Sequence, residues 1–132
     1  MKTTLLLIAH GSRNAEANED LFFLAESLAE RKEYHAVHAA FLELATPPID
    51  VAGRECVAAG AEQIILVPYF LSAGIHVRRD LTRYRDQLQE EFPSVEFRLA
   101  EPLGRHPLLA EVVRSRVHER LTGSPGESQA SS

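Results

Sequence analysis

The sequence holds a single cysteine, Cys56, so no disulfide can close within one chain. It has no long hydrophobic run: the longest near the N-terminus, Leu5-Leu6-Leu7-Ile8-Ala9, stops at His10, far short of the roughly 20 apolar residues of a membrane span. Nor is there an excess of positive charge. Fourteen Lys+Arg against 19 Asp+Glu leave −5 with His neutral, which removes any general attraction to phosphate backbones or anionic membrane surfaces. No GxGxxG follows the first apolar segment and no Walker pattern occurs, so the usual phosphate cradles are absent. Paired CxxC motifs, the mark of a closed four-ligand metal site, are also missing. These absences argue against a disulfide-stapled fold, a nucleic-acid partner and a membrane protein. They lead to the expectation of a cytoplasmic chain without signal peptide or membrane span.

What is present is ordinary for a globular protein: 132 residues, 45% hydrophobic and 25% charged. One domain is expected over residues 1–122, followed by a small, polar, disordered tail over 123–132. Thr3 to Ala9 is apolar without alternation, as in a strand buried on both faces of a parallel sheet. Ala17, Leu21, Leu24, Ala25 and Leu28 then recur at helical spacing, and the helix is expected to close near Lys32. Val37 to Leu42 reads as a second strand ending at Glu43, and Ile49 to Ala59 as a helix opened by Pro47-Pro48 and stopped by Gly60. Gln63 to Val67 is the third strand. A loop from Tyr69 to His76 leads to a helix carrying Val77, Leu81, Tyr84 and Leu88. Val95 to Leu99 alternates apolar with charged, the pattern of a sheet edge, and a last helix uses Leu109, Val112, Val113 and Val117. The βαβαβαβα order predicts an α/β three-layer sandwich, flavodoxin-like, with a four-stranded parallel sheet in the order 2-1-3-4.

In such sheets ligands bind beyond the carboxyl ends of the strands, at the switch point between strands one and three. His10 ends strand one, Glu43 ends strand two and His76 closes the loop after strand three. Each is one strand-helix unit of roughly 30 residues from the next. Two imidazoles and a carboxylate at one crevice would suit a borderline divalent metal such as iron, cobalt, nickel or zinc. The plainer readings are a helix cap or a backbone contact for either histidine, and an exposed strand end for Glu43. His35, His38 and His118 read as solvated or packed. His106 reads as a turn and helix start, the other reading being that it reaches the same rim. Leu71-Ser72-Ala73-Gly74 is small enough to let backbone approach a flat ligand. Arg13, Arg78, Arg79, Arg83 and Arg105 are expected near this edge, where they would either hold a polycarboxylate or simply face water. Cys56 falls on the apolar face of its helix and reads as a core thiol.

Three stretches carry a family resemblance: Leu6-Leu7-Ile8-Ala9-His10-Gly11-Ser12-Arg13, Phe41-Leu42-Glu43-Leu44 with Pro47, and Val67 through Val77 with Asp80-Leu81. In this order they resemble the small class II sirohydrochlorin chelatases of the CbiX and SirB type, from Lys2 to about Leu121. The resemblance implies ATP-independent insertion of cobalt, iron or nickel into sirohydrochlorin, a polycarboxylated tetrapyrrole. It also implies a homodimer, and no cofactor beyond the divalent metal that is itself a substrate. It places the metal-binding and proton-accepting histidine on His10, the second metal histidine on His76 and the carboxylate on Glu43. The substrate loop then falls on Leu71, Ser72, Ala73, Gly74, Ile75 and His76. A further substrate position falls on Thr46, where relatives often carry a charged residue. Two other readings remain. Ala9-His10-Gly11 faintly resembles the Arg-His-Gly of histidine phosphatases, with Ala9 in place of the phosphate-binding arginine. A non-catalytic metal-carrying or tetrapyrrole-binding module would use the same fold and ligands.

Overall fold

The computed structural model describes residues 1–123. Eight elements alternate along it: β1 (Thr3–Ala9), α1 (Ala15–Glu30), β2 (Ala36–Phe41), α2 (Ile49–Ala58), β3 (Gln63–Pro68), α3 (Ile75–Glu91), β4 (Glu96–Leu99) and α4 (Pro107–Leu121). The four strands form one sheet in the order β2-β1-β3-β4, and every pairing is parallel. This is the expected order, with the apolar β1 and β3 inside and the alternating β4 at an edge. The chain divides into two compact units, Met1–Pro102 and a second that begins at Leu103 and carries α4. Apart from Gly123, the expected tail lies outside the described residues.

The unbroken apolar run of β1 is explained by covering on both sides of the sheet. Leu6 and Ile8 join Ala40, Ile64, Leu66 and Phe97 on one face, packed with Ile49, Ala52 and Cys56 of α2 and Leu81 and Leu88 of α3. Leu5 and Leu7 join Ala39 and Phe41 on the other, against Leu21 and Ala25 of α1. Helices α2 and α3 approach closely where Gly53 meets Leu88; a Cβ at position 53 would lie 2.7 Å from Leu88 Cδ1. At the β4 edge Arg98 binds Glu96 at 2.7 Å.

Two helix starts differ from the sequence reading, and each difference is a cap. Helix α1 begins at Ala15 because the Asn14 side chain accepts the Glu16 N–H at 3.0 Å, satisfying a donor left over by the first turn. Helix α3 begins at Ile75 with Gly74 as its extended cap. His76 therefore lies in the first turn of α3 and not in the loop before it. In the second unit the His106 ring accepts the Leu108 N–H at 3.1 Å, so this histidine caps α4. His35 Nε2 lies 3.0 Å from the Ala59 carbonyl and ties the start of β2 to the end of α2.

Candidate active site

The parallel ladder between β1 and β2 runs past the strand ends. Ala9 pairs with Phe41, then the Leu42 N–H donates to the Ala9 carbonyl and the Glu43 N–H to the His10 carbonyl, both at 3.0 Å. Beyond Glu43 the chain turns back: Leu44 takes a positive φ of 62°, and the Phe41 N–H donates to the Pro47 carbonyl at 3.0 Å. Residues 42–47 thus form a short closed loop at the carboxyl edge, with Thr46 exposed on it. His10 and Glu43, one from each strand end, meet there with His10 Nε2 2.7 Å from Glu43 Oε1. Their side chains are 56% and 57% exposed, so the pair is open to an incoming ligand. A carboxylate bonded to one ring nitrogen fixes the imidazole's orientation.

The turn that follows is braced on both sides. The Ser12 N–H donates to Asn18 Oδ1 at 2.9 Å, the Asn18 amide donates back to the Ser12 carbonyl at 2.8 Å, and the Asn14 N–H donates to Ser12 Oγ at 3.0 Å. His10 is thereby held at the end of a stiff strand-to-helix connection, a role for Asn18 that the helical periodicity of α1 did not signal.

His76 sits one strand over, exposed in the first turn of α3. It does not join the other two: among the described residues no three His, Cys, Asp or Glu side chains come together as a metal cluster. The expected set therefore splits into a formed pair, His10 with Glu43, and a separate imidazole. The loop from Leu71 to Gly74 between Pro68 and α3 is mostly exposed and is tied by Arg78, whose Nε donates to the Ala73 carbonyl at 3.2 Å.

Of the expected basic ring, Arg78 lies 3.7 Å from Glu101 and Arg83 lies 3.2 Å from Asp80. Arg13 and Arg79 have no ion-pair partner among the described residues. An open groove of about 480 Å³ runs along α3 past Ile75, Arg78, Arg79 and Arg83. Arg105 belongs to the second unit. Cys56 is buried, and burial pushes its thiol up to about 12; it stays protonated and unreactive at neutral pH.

Comparison with known proteins decides the family. The CbiX family model matches residues 4–120. The chain belongs to the CbiX family. It is 31% identical to a sirohydrochlorin cobaltochelatase of Priestia megaterium over 92% of this chain and 39% of that protein. It is 32% identical to the chloroplastic sirohydrochlorin ferrochelatase of Arabidopsis thaliana over 93% of this chain and 55% of that one. The chain thus spans about two fifths to a little over half the length of these relatives. Against the sirohydrochlorin cobaltochelatase of Sulfurisphaera tokodaii the identity is 35%, over 91% of this chain and 95% of the relative. Among solved structures, a CbiX protein from Marinobacter aquaeolei VT8 superposes with a TM-score of 0.79 at 37% identity, covering 92% of this chain and 99% of that one. The chelatase SirB from Bacillus subtilis subspecies spizizenii, in complex with cobalt, superposes with a TM-score of 0.81 at 26% identity, over 90% of this chain and 51% of that one.

Proposed function

We propose that this chain is an ATP-independent sirohydrochlorin chelatase that inserts cobalt, iron or nickel into the tetrapyrrole in cobalamin- or siroheme-type biosynthesis. The observation that carries the reading is the His10–Glu43 pair at 2.7 Å on the carboxyl edge of the sheet. Metallation releases two pyrrole protons while the ion sheds its ligands, so the site needs a base and a weak, exchangeable metal holder. An imidazole serves both ends because its ordinary pKa, roughly 6.5, lies near working pH. Glu43 would orient that ring and offset the positive charge arriving with the ion. His76, across the same edge, is proposed as the second imidazole that receives the metal. Thr46 and Leu71 through His76 are proposed to line the macrocycle, which is consistent with their mostly exposed positions on two loops and the first turn of α3.

The family match over 4–120 runs through both compact units, in keeping with residues 1–122 acting as a single chelatase domain. We further propose a cytoplasmic homodimer without nucleic-acid or membrane partners. A flat macrocycle needs walls on two sides to reach the large fractional burial usual for ligand sites. One copy offers a single sheet edge, and a symmetric dimer would supply a second. The net charge of −5 disfavours anionic polymers and surfaces. No helix among the described residues is long and apolar enough to cross a membrane.

The test is an absorbance assay of the purified chain with sirohydrochlorin and each of Co²⁺, Fe²⁺ and Ni²⁺, without ATP. Metallation well above the rate without protein is expected for at least one ion. Metal binding without accelerated insertion would return the chain to the non-catalytic metal-carrying reading.

A further inference from the structure

Gly11 follows His10 with φ of +101°, a conformation that L side chains rarely adopt. Its surroundings matter more than its dihedral angle. A Cβ built at this position would lie 1.8 Å from the Glu43 carbonyl oxygen, 3.0 Å from the Glu43 carbonyl carbon and 3.3 Å from Phe41 Cβ. The first distance is far inside van der Waals contact, and the atoms struck belong to backbone, which cannot swing aside as a side-chain tip can. Only a residue without a side chain lets the turn after β1 lie flat against the end of β2. That close approach is also what allows the ladder to continue two residues beyond Ala9 and Phe41, through the Leu42 N–H and the Glu43 N–H. The second of these bonds, to the His10 carbonyl, joins the backbones of the two residues whose side chains meet at 2.7 Å.

We propose that Gly11 is a positioning residue of the site: its missing side chain lets the Glu43 backbone seat beside His10, and this contact sets the carboxylate on the imidazole. Any Cβ at position 11 would push residues 42–44 outward and open the pair while leaving both functional side chains chemically intact. The inference rests on reading His10 and Glu43 as metal-handling residues, and goes beyond that reading by naming what holds them together. Gly60 shows the contrast. It also has positive φ, +97°, but its nearest neighbour to a built Cβ is 3.7 Å away, so there only the dihedral angle selects glycine.

The test is a double-mutant cycle read on Co²⁺ alone. Cobalt affinity would be measured by titration calorimetry for the wild type, Gly11→Ala, Glu43→Gln and the double variant. Each single change is expected to weaken binding by roughly tenfold, the scale seen when the partner orienting a ligand is lost. If Gly11 acts through Glu43, the double variant binds no more weakly than Gly11→Ala alone. Independent effects would multiply to roughly a hundredfold, and that result, or unchanged affinity in Gly11→Ala, overturns the proposal. The cycle is read on variants that keep the wild-type circular dichroism spectrum, because an unfolded Gly11→Ala would also hide the effect of Glu43→Gln.

Hydrogen exchange supplies a readout that needs no metal, and its wild-type arm needs no variant. In the wild type the Glu43 amide is expected to be protected together with that of Leu42; free exchange at Glu43 would overturn the proposal. In folded Gly11→Ala its protection should fall while the amides of β3 keep theirs. The outcomes separate the two readings. A chain that binds Co²⁺ with a coupled cycle but never metallates sirohydrochlorin keeps Gly11 as a positioning residue and refutes the chelatase assignment.

Discussion

Two side chains that meet at 2.7 Å have different expected weights in the chemistry. Removing the imidazole in His10→Ala takes away both the proposed base and the proposed metal ligand, so metallation should fall by about 10²–10⁴-fold, the usual span for lost acid–base catalysis. Circular dichroism should be unchanged, since His10 is exposed. Glu43→Gln keeps shape and removes charge, and a smaller loss, about tenfold, is expected. Equal losses in the two variants would mean that the pair acts as one unit. At this scale the sequence was only partly informative. His10 and Glu43 were legible as strand ends because apolar runs stop at them. His76 was expected beside them because the fold rule brings loops to one edge, but a rule about loops does not place a side chain. With Gly74 as its cap, α3 starts two residues earlier than the apolar pattern from Val77 suggests, and the imidazole goes with the helix.

The helices owe their start points to caps and their inner faces to burial, and both can be tested separately. Asn14→Ala removes the acceptor for the Glu16 N–H and should lower stability by about 1 kcal/mol in urea unfolding, with little effect on β3 or α3. Cys56, on the inner face of α2, makes a pH-dependent contribution. Burial raises its thiol to about 12, above the unfolded value near 8.5. The neutral thiol's contribution is therefore complete below about pH 8.5 and is lost as pH climbs from there toward 12. Between pH 8 and pH 10 the wild type should lose about 2 kcal/mol more than Cys56→Ala does, read by parallel unfolding curves. Equal slopes would mean that the thiol ionises as freely in the folded chain as in the unfolded one. The core placement of Cys56 and the four strands were legible from the apolar pattern, and the strand order from that pattern together with the handedness of parallel crossovers. Cap residues escaped because a period of apolar side chains says nothing about where the first unpaired N–H finds an acceptor.

For the whole molecule, the prediction concerns assembly. Sedimentation at micromolar concentration is expected to give the proposed dimer. A fully active monomer would refute the dimer. The sheet has one more consequence, for how the chain comes to be folded. Each strand pairing is parallel and bridges at least one helix, and the central β1 needs both β2 and β3, with Thr3 opposite Gln63. No hairpin is available to nucleate the sheet. During synthesis at roughly 5–20 residues per second, the most apolar strand emerges first and waits seconds for its second neighbour. Such non-local closure makes folding slow for a chain of this size. Protection of that waiting strand, more than final stability, should govern the yield of folded protein in a cell.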